Sequence, residues 1–297
     1  MEFSACSHAL PHLSGVPSHP GVLAYRGFRL AAAEACRRLD PPADAVILIL
    51  VTEGELRISE PPDHQAPFVV RRASVRGLRT SGLHFEHRTA VTGVEVALAP
   101  WAAFRLFGVP LRRLSHRVVE LDPLLPAGRC AALLRALGAA DDWPERFRLL
   151  DTELGILLAR GPAPAVPVAR AWRSLTQAAA APSVAELARE VGLSQSQLVR
   201  RFLEQVGVTP KAAARIVRLR RTLGLMAGGC SAADAALRTG YCDQAHFSRE
   251  FKAMTGISPR GFRLRAHASG STGPELIPGR SPEVAEFIQD RAATPLR

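Results

Sequence analysis

Leu198-Val-Arg-Arg-Phe202, running on through Gly207 to Pro210, lies over Phe247-Ser-Arg-Glu-Phe251, Gly256 and Pro259 at a constant offset. Upstream of each stretch the match continues, since Ala188 stands four residues before Gly192 as Ala236 does before Gly240. An internal repeat of this kind outweighs any single local propensity in deciding a fold. Each copy reads as a helix, a glycine turn and a second helix. Residues 183–265 are thus two helix-turn-helix units, and residues 210–226 supply a basic helix between them.

Each part of the unit has a residue suited to enforce it. Ser183 with Glu186, and Ser194 with Gln197, have the spacing of reciprocal N-terminal capping boxes. Gly192 can take the positive φ that the turn requires. Leu198 and Phe202, one helical turn apart, point inward, and Phe247 and Phe251 repeat them. The second unit carries one extra residue between its glycine and its first inward aromatic. Thr209-Pro210 and Ser258-Pro259 each place proline at the first position of a helix.

Charge says what such a module would hold. The chain of 297 residues has a net charge of +11, and residues 183–265 contribute 14 Lys or Arg against 6 Asp or Glu. That concentration is the footprint of a polyanion-binding surface. In a helix-turn-helix the second helix enters the major groove, so residues 195–205 and 244–254 are expected to be recognition helices. Arginine pairs with guanine and glutamine with adenine, whereas lysine and backbone amides mostly hold phosphates. The expected DNA-contacting set is Gln195, Ser196, Gln197, Arg200, Arg201, Gln244, Ala245, Ser248, Arg249 and Lys252, with Arg218 of the linking helix; Arg200, Arg249 and Gln244 are the base readers.

Outside this stretch the texture differs. Val46-Ile-Leu-Ile-Leu-Val51, Glu55-Leu-Arg-Ile58, Pro67-Phe-Val-Val70 and Val91-Thr-Gly-Val-Glu-Val-Ala-Leu98 are short β-rich runs separated by Gly, Pro and Asp, the pattern of an antiparallel sheet or small barrel. Residues 30–39 are strand-like at their start or a short helix. Helices are expected at 101–107, near 130–137 and at 143–160, where Phe147, Leu150, Leu154, Leu157 and Leu158 recur at helical spacing. That stripe either covers the sheet or builds a homodimer. The expected fold is therefore two-domain α+β: a β-rich, barrel or cupin-like regulatory or dimerisation domain with flanking helices (1–160), a Pro-rich semi-rigid linker (161–168), an all-α double helix-turn-helix domain (169–265) and a mostly disordered tail (266–297).

At these residues a resemblance becomes specific. Gly192-Leu-Ser194, Arg200-Arg-Phe202, Gly207-Val-Thr-Pro210, Gly240-Tyr-Cys-Asp-Gln244, His246-Phe-Ser-Arg-Glu-Phe-Lys252 and Gly256-Ile-Ser-Pro259 with Phe262-Arg263 resemble the AraC/XylS family of bacterial transcription regulators. The resemblance implies two helix-turn-helix units joined by a helix. Ala213, Thr222 and Cys242 depart from the family's usual aromatic, Ala and Ser. Gly93-Val-Glu-Val-Ala-Leu-Ala-Pro100, Leu106-Phe-Gly-Val-Pro110 and Val118-Val-Glu-Leu-Asp122 resemble, less specifically, the N-terminal domain of an actinobacterial-type subset, which implies small-molecule sensing or dimerisation.

Other chemistries have less to stand on. Cys6, Cys36, Cys130, Cys230 and Cys242 are scattered and odd in number, so a reducing, cytoplasmic setting is expected. No run is long enough for a bilayer span, and no membrane partner is expected. His84-Phe-Glu-His87 lacks a third ligand at a metal spacing and reads as a surface or loop cluster. Cys242 and His246, one turn apart, are positions of the second unit. No G-x-S-x-G or phosphate-binding glycine loop appears, so no catalytic residue, cofactor or metal is expected. The sequence thus describes a sequence-specific DNA-binding transcription regulator, not an enzyme, with double-stranded DNA as partner and RNA polymerase, a small-molecule effector and a second copy as further candidates. The alternative is a DNA-targeted enzyme or repair protein with a catalytic β domain, which a polar, metal-holding barrel would favour and a filled apolar barrel would disfavour.

Overall fold

The computed structural model describes residues 13–31, 36–59, 69–178 and 181–262. The expectation for the tail, and part of those for 30–39 and 67–70, lie outside the described residues. Among the described residues, ten strands make two antiparallel sheets. The larger has the order β1 (Leu13–Gly15), β2 (Val22–Leu30), β9 (Val91–Leu98), β4 (Val46–Glu53), β7 (Ala73–Arg76), β10 (Val118–Glu120). The smaller runs β3 (Cys36–Asp40), β8 (Leu83–His87), β5 (Arg57–Ser59), β6 (Val69–Val70).

Strand β4 explains how the layers stack. Its unbroken apolar run is buried on both sides, as a central strand must be to tolerate no polar residue. Ile47, Ile49 and Val51 meet Phe28, Ile58, Leu83 and Phe85 between the sheets. Val46, Leu48 and Leu50 face the other way, toward helices α1 (Pro100–Phe107), α2 (Arg129–Ala139) and α3 (Trp143–Arg160). Phe147, Leu150, Leu154, Leu157 and Leu158 of α3 are all buried in that second layer. The apolar stripe on α3 therefore covers the sheet of its own chain, and the homodimer reading loses this support. Arg146 fixes the pairing of the two longer helices: buried over the Trp143 ring at 4.8 Å, it donates to the carbonyls of Leu137 (2.9 Å) and Ala140 (3.0 Å) at the end of α2, where the last carbonyls lack helical partners.

The space between the sheets is apolar through most of its length and ends in an ion cluster. Arg76 pairs with Asp40, and its other nitrogen lies 3.8 Å from Glu95, which Arg26 approaches at 3.6 Å. The His84–His87 segment is not at the surface: Glu86 and His87 are buried, and Glu86 is met by Arg88 at 3.1 Å and Arg57 at 3.9 Å. Burial of this carboxylate is offset by those cations. Among the described residues no group of three metal-capable side chains occurs, and no helix is long and apolar enough to cross a membrane.

The second domain continues the same core. Helix α4 (Val166–Gln177) begins inside the stretch expected to be linker, because Ala165 opens it and Pro167 suits its first turn. Gly161 passes so close to the Arg105 carbonyl that a Cβ would stand 1.7 Å from it. Trp172 of α4 packs on Phe202 at 6.3 Å. The Pro-rich segment is thus a packed connection rather than a free tether. Helices α5 (Val184–Glu190), α6 (Gln195–Gln205), α7 (Pro210–Ala227), α8 (Ala232–Arg238) and α9 (Gln244–Thr255) follow, with one further helical turn at 259–262.

Candidate nucleic-acid interface

Both units form as their residues require. Ser183 caps α5 and Ser194 caps α6, each with the reciprocal bond from Glu186 or Gln197 in place. Gly192 and Gly240 take φ of +67° and +79°, the left-handed region that glycine enters without steric cost. Helix α9 uses a single-sided cap: Asp243 accepts from His246 N at 2.6 Å, and this bond to the backbone amide holds the carboxyl below its usual range. Leu198 and Phe202 are fully buried, as are Phe247 and Phe251, whose rings meet edge to face at 5.5 Å.

With the anchors inward, the opposite face follows from the helical period of ~3.6 residues. Gln195, Ser196, Gln197 and Arg200 are exposed on α6, with Arg201 half-buried at the flank. Gln244, Ala245, Arg249 and Lys252 are exposed on α9, with Ser248 half-buried. Ten of the eleven expected residues therefore line two matching helix faces. Arg218 does not join them. Its guanidinium bonds both oxygens of Glu250, at 3.0 and 2.9 Å, and lies 4.5 Å over the Tyr241 ring. Burial alone would lower its pKa, but Glu250 outweighs this and raises it above the ordinary value.

The other arginines of α7 are likewise turned to the protein. Arg215 reaches Glu250 at 3.4 Å, and Arg221 donates to the carbonyls of Leu175 and Thr176. Arg220 is 5 % exposed and enters the end of the inter-sheet space, 3.6 Å from Asp44. Burial pushes its pKa down to about 10, with Asp44 opposing; it remains a cation at neutral pH. Thr222, a departure from the family pattern, is buried with its hydroxyl satisfied by the Arg218 carbonyl and by Thr239, both at 2.9 Å. Glu250 and Arg220 were not singled out from the sequence. Glu250 did carry a signal: in the repeat it stands where the first unit has Arg201, a reversal of charge.

The first unit is also held from behind. Gln205 accepts from Ala165 N at 2.8 Å. Gly207, at φ +94°, lies where a Cβ would meet Ser115 Oγ at 2.2 Å and the Leu111 carbonyl at 2.9 Å. The end of α6 is thereby seated on the turn at residues 111–115 of the first domain.

Residues 187–265 match the family model described as a helix-turn-helix domain. HTH-type transcriptional regulator MtrA of Neisseria gonorrhoeae is 32% identical over 82 residues, which is 27% of this chain and 27% of MtrA. The chain carries a helix-turn-helix domain. A transcriptional regulator from Chromobacterium violaceum with an AraC-type DNA-binding domain is similar at 30% identity, covering 34% of the chain and 92% of that structure at a TM-score of 0.31. ToxT from Vibrio cholerae is similar over 82% of the chain and 98% of its own, with 10% identity and a TM-score of 0.44. The match to MtrA spans about a quarter of that relative's length.

Proposed function

We propose that the chain is a sequence-specific DNA-binding transcription regulator that reads two adjacent major-groove segments with α6 and α9. One observation carries the reading: an exposed Gln and Arg recur at equivalent positions, Gln195 with Gln244 and Arg200 with Arg249, on two helices whose inward side chains share one core. Helix α7 has 18 residues and spans roughly 27 Å, a strut suited to presenting two helices along one duplex turn of ~34 Å. Arg200, Arg249 and Gln244 read base edges, while Arg201 and Lys252 hold phosphates at the flanks. Arg218 belongs to the support of α9 rather than to the contacts.

The β-rich domain acts as the regulatory half. Its mechanical connection to the reader is the insertion of Arg220 beside Asp44 and the seat of Gly207 on Leu111 and Ser115. RNA polymerase, a small-molecule effector and a second copy remain candidate partners under this reading. The catalytic alternative has no specific observation in its favour, and the inter-sheet space is apolar through most of its length.

The test uses duplexes enriched from a random pool by the full-length protein. Arg200→Ala and Arg249→Ala are each expected to weaken binding to the enriched duplex by ~1–3 kcal/mol per lost base contact, while binding to random DNA at the same salt is little changed. Equal losses on enriched and random DNA in salt-controlled gel shifts would contradict the assignment of these two arginines to bases.

A further inference from the structure

We propose that Glu250 is the positioning residue of the second reading helix: it fixes how far α9 is turned about its own axis, and so whether Arg249 and Gln244 face the duplex. This rests on the DNA-reading assignment above. Glu250 is 7 % exposed, and a carboxylate in such a place needs cations and hydrogen bonds around it. It has them from two directions. Arg218 and Arg215 reach it from α7, at 2.9 and 3.4 Å, and His246 reaches it at 3.2 Å from one turn earlier on α9. Arg218 is fixed in turn by the Tyr241 ring, and Tyr241 packs edge-on against Phe247 at 5.0 Å.

Neighbouring residues on a helix stand about 100° apart. With Glu250 drawn inward to Arg218, Arg249 is held roughly a quarter-turn away, on the solvent side. Rotation of α9 by one residue's arc would carry Arg249 off the base edges and put Glu250, an anion, toward the phosphates. The first unit has no such device. Arg201 occupies the equivalent position, and α6 is held by Gln205 on Ala165 and by Gly207 on Leu111 and Ser115. The two reading helices are therefore oriented by different means, one by backbone contact with the β-rich domain and the other by a buried charge.

It follows that neutralising Glu250 damages one half of the site and spares the other. The half read by α9 is identified as the half whose protection Arg249→Ala removes. Full-length Glu250→Gln on the enriched duplex is expected to keep protection over the α6 half, to lose it over the α9 half, and to bind about 10- to 100-fold more weakly. Glu250→Asp, which keeps the charge, recovers part of the loss, and binding to random DNA changes little. A complete footprint at wild-type affinity, or equal loss over both halves, would overturn the proposal. Should Glu250→Gln fail to fold by circular dichroism, Arg218→Lys keeps the charge and loses the two-pronged bond; the same one-sided loss supports the proposal, and an even loss or none overturns it. Wild-type protein that enriches no sequence overturns instead the DNA-reading assignment, and this proposal with it.

Discussion

Phe202→Ala is expected to cost ~3–5 kcal/mol of folding free energy, the range for removing a fully buried phenylalanine. The size follows from its position. Phe202 has no exposed surface, and its ring faces Trp172 of α4 while Leu198 and Leu187 share the same core. No neighbour is free to collapse into the space, because α6 is held at its N-terminus by the Ser194 cap and at its end by the seat of Gly207. The backbone bonds from Val206 and Gly207 to the Phe202 carbonyl survive the change, so the loss is one of packing. Urea denaturation of the full chain checks it. A loss below about 1 kcal/mol would mean that the helix is not pinned by this ring, and that the outward face of α6 is less firmly defined than its contacts imply.

Arg76→Ala is expected to cost a similar ~3–5 kcal/mol, for an electrostatic reason. Arg76 and Asp40 are 3 % and 2 % exposed and pair with each other. Removing the cation leaves the Asp40 carboxylate in the core without this ion pair, and an uncompensated buried charge is what makes such truncations severe. Glu95 is less affected because Arg26 still approaches it. Combining Arg76→Met with Asp40→Asn removes both charges and is expected to restore much of the loss, since replacing both members of a buried pair is often close to neutral. A double substitution as destabilised as the sum of the single ones would show that the two groups act independently.

The reading module was legible because its determinants are local. Caps, a glycine turn and aromatics one helical turn apart each act within a few residues, and the repeat states them twice. The helices expected at 195–205 and 244–254 lie at Gln195–Gln205 and Gln244–Thr255. The β-rich half was legible only as a texture. Its strands pair across long separations, β2 with β9 and β10 with β7, and no short stretch specifies such partners. The start of α4 inside the Pro-rich segment was hidden because proline both breaks a helix and opens one.

The arginines of α7 show a different limit. Arg215, Arg218, Arg220 and Arg221 look alike in sequence, and a basic helix between two DNA-reading units invites assignment to phosphates. Their targets are Glu250, Asp44 and two carbonyls of α4. Helix α7 is packed on several sides, with Ala213, Ile216, Val217, Leu219 and Leu223 all buried, so most directions from it lead into protein. Only the tertiary arrangement reveals that.

In the proposed function two helices of one chain read two adjacent groove segments. Hydroxyl-radical footprinting of the full-length protein on its enriched duplex tests this most directly. Two protected patches about one helical turn, ~10 base pairs, apart are expected, with Arg200→Ala weakening one patch and Arg249→Ala the other; a single patch, weakened alike by both substitutions, would rule out reading by two helices.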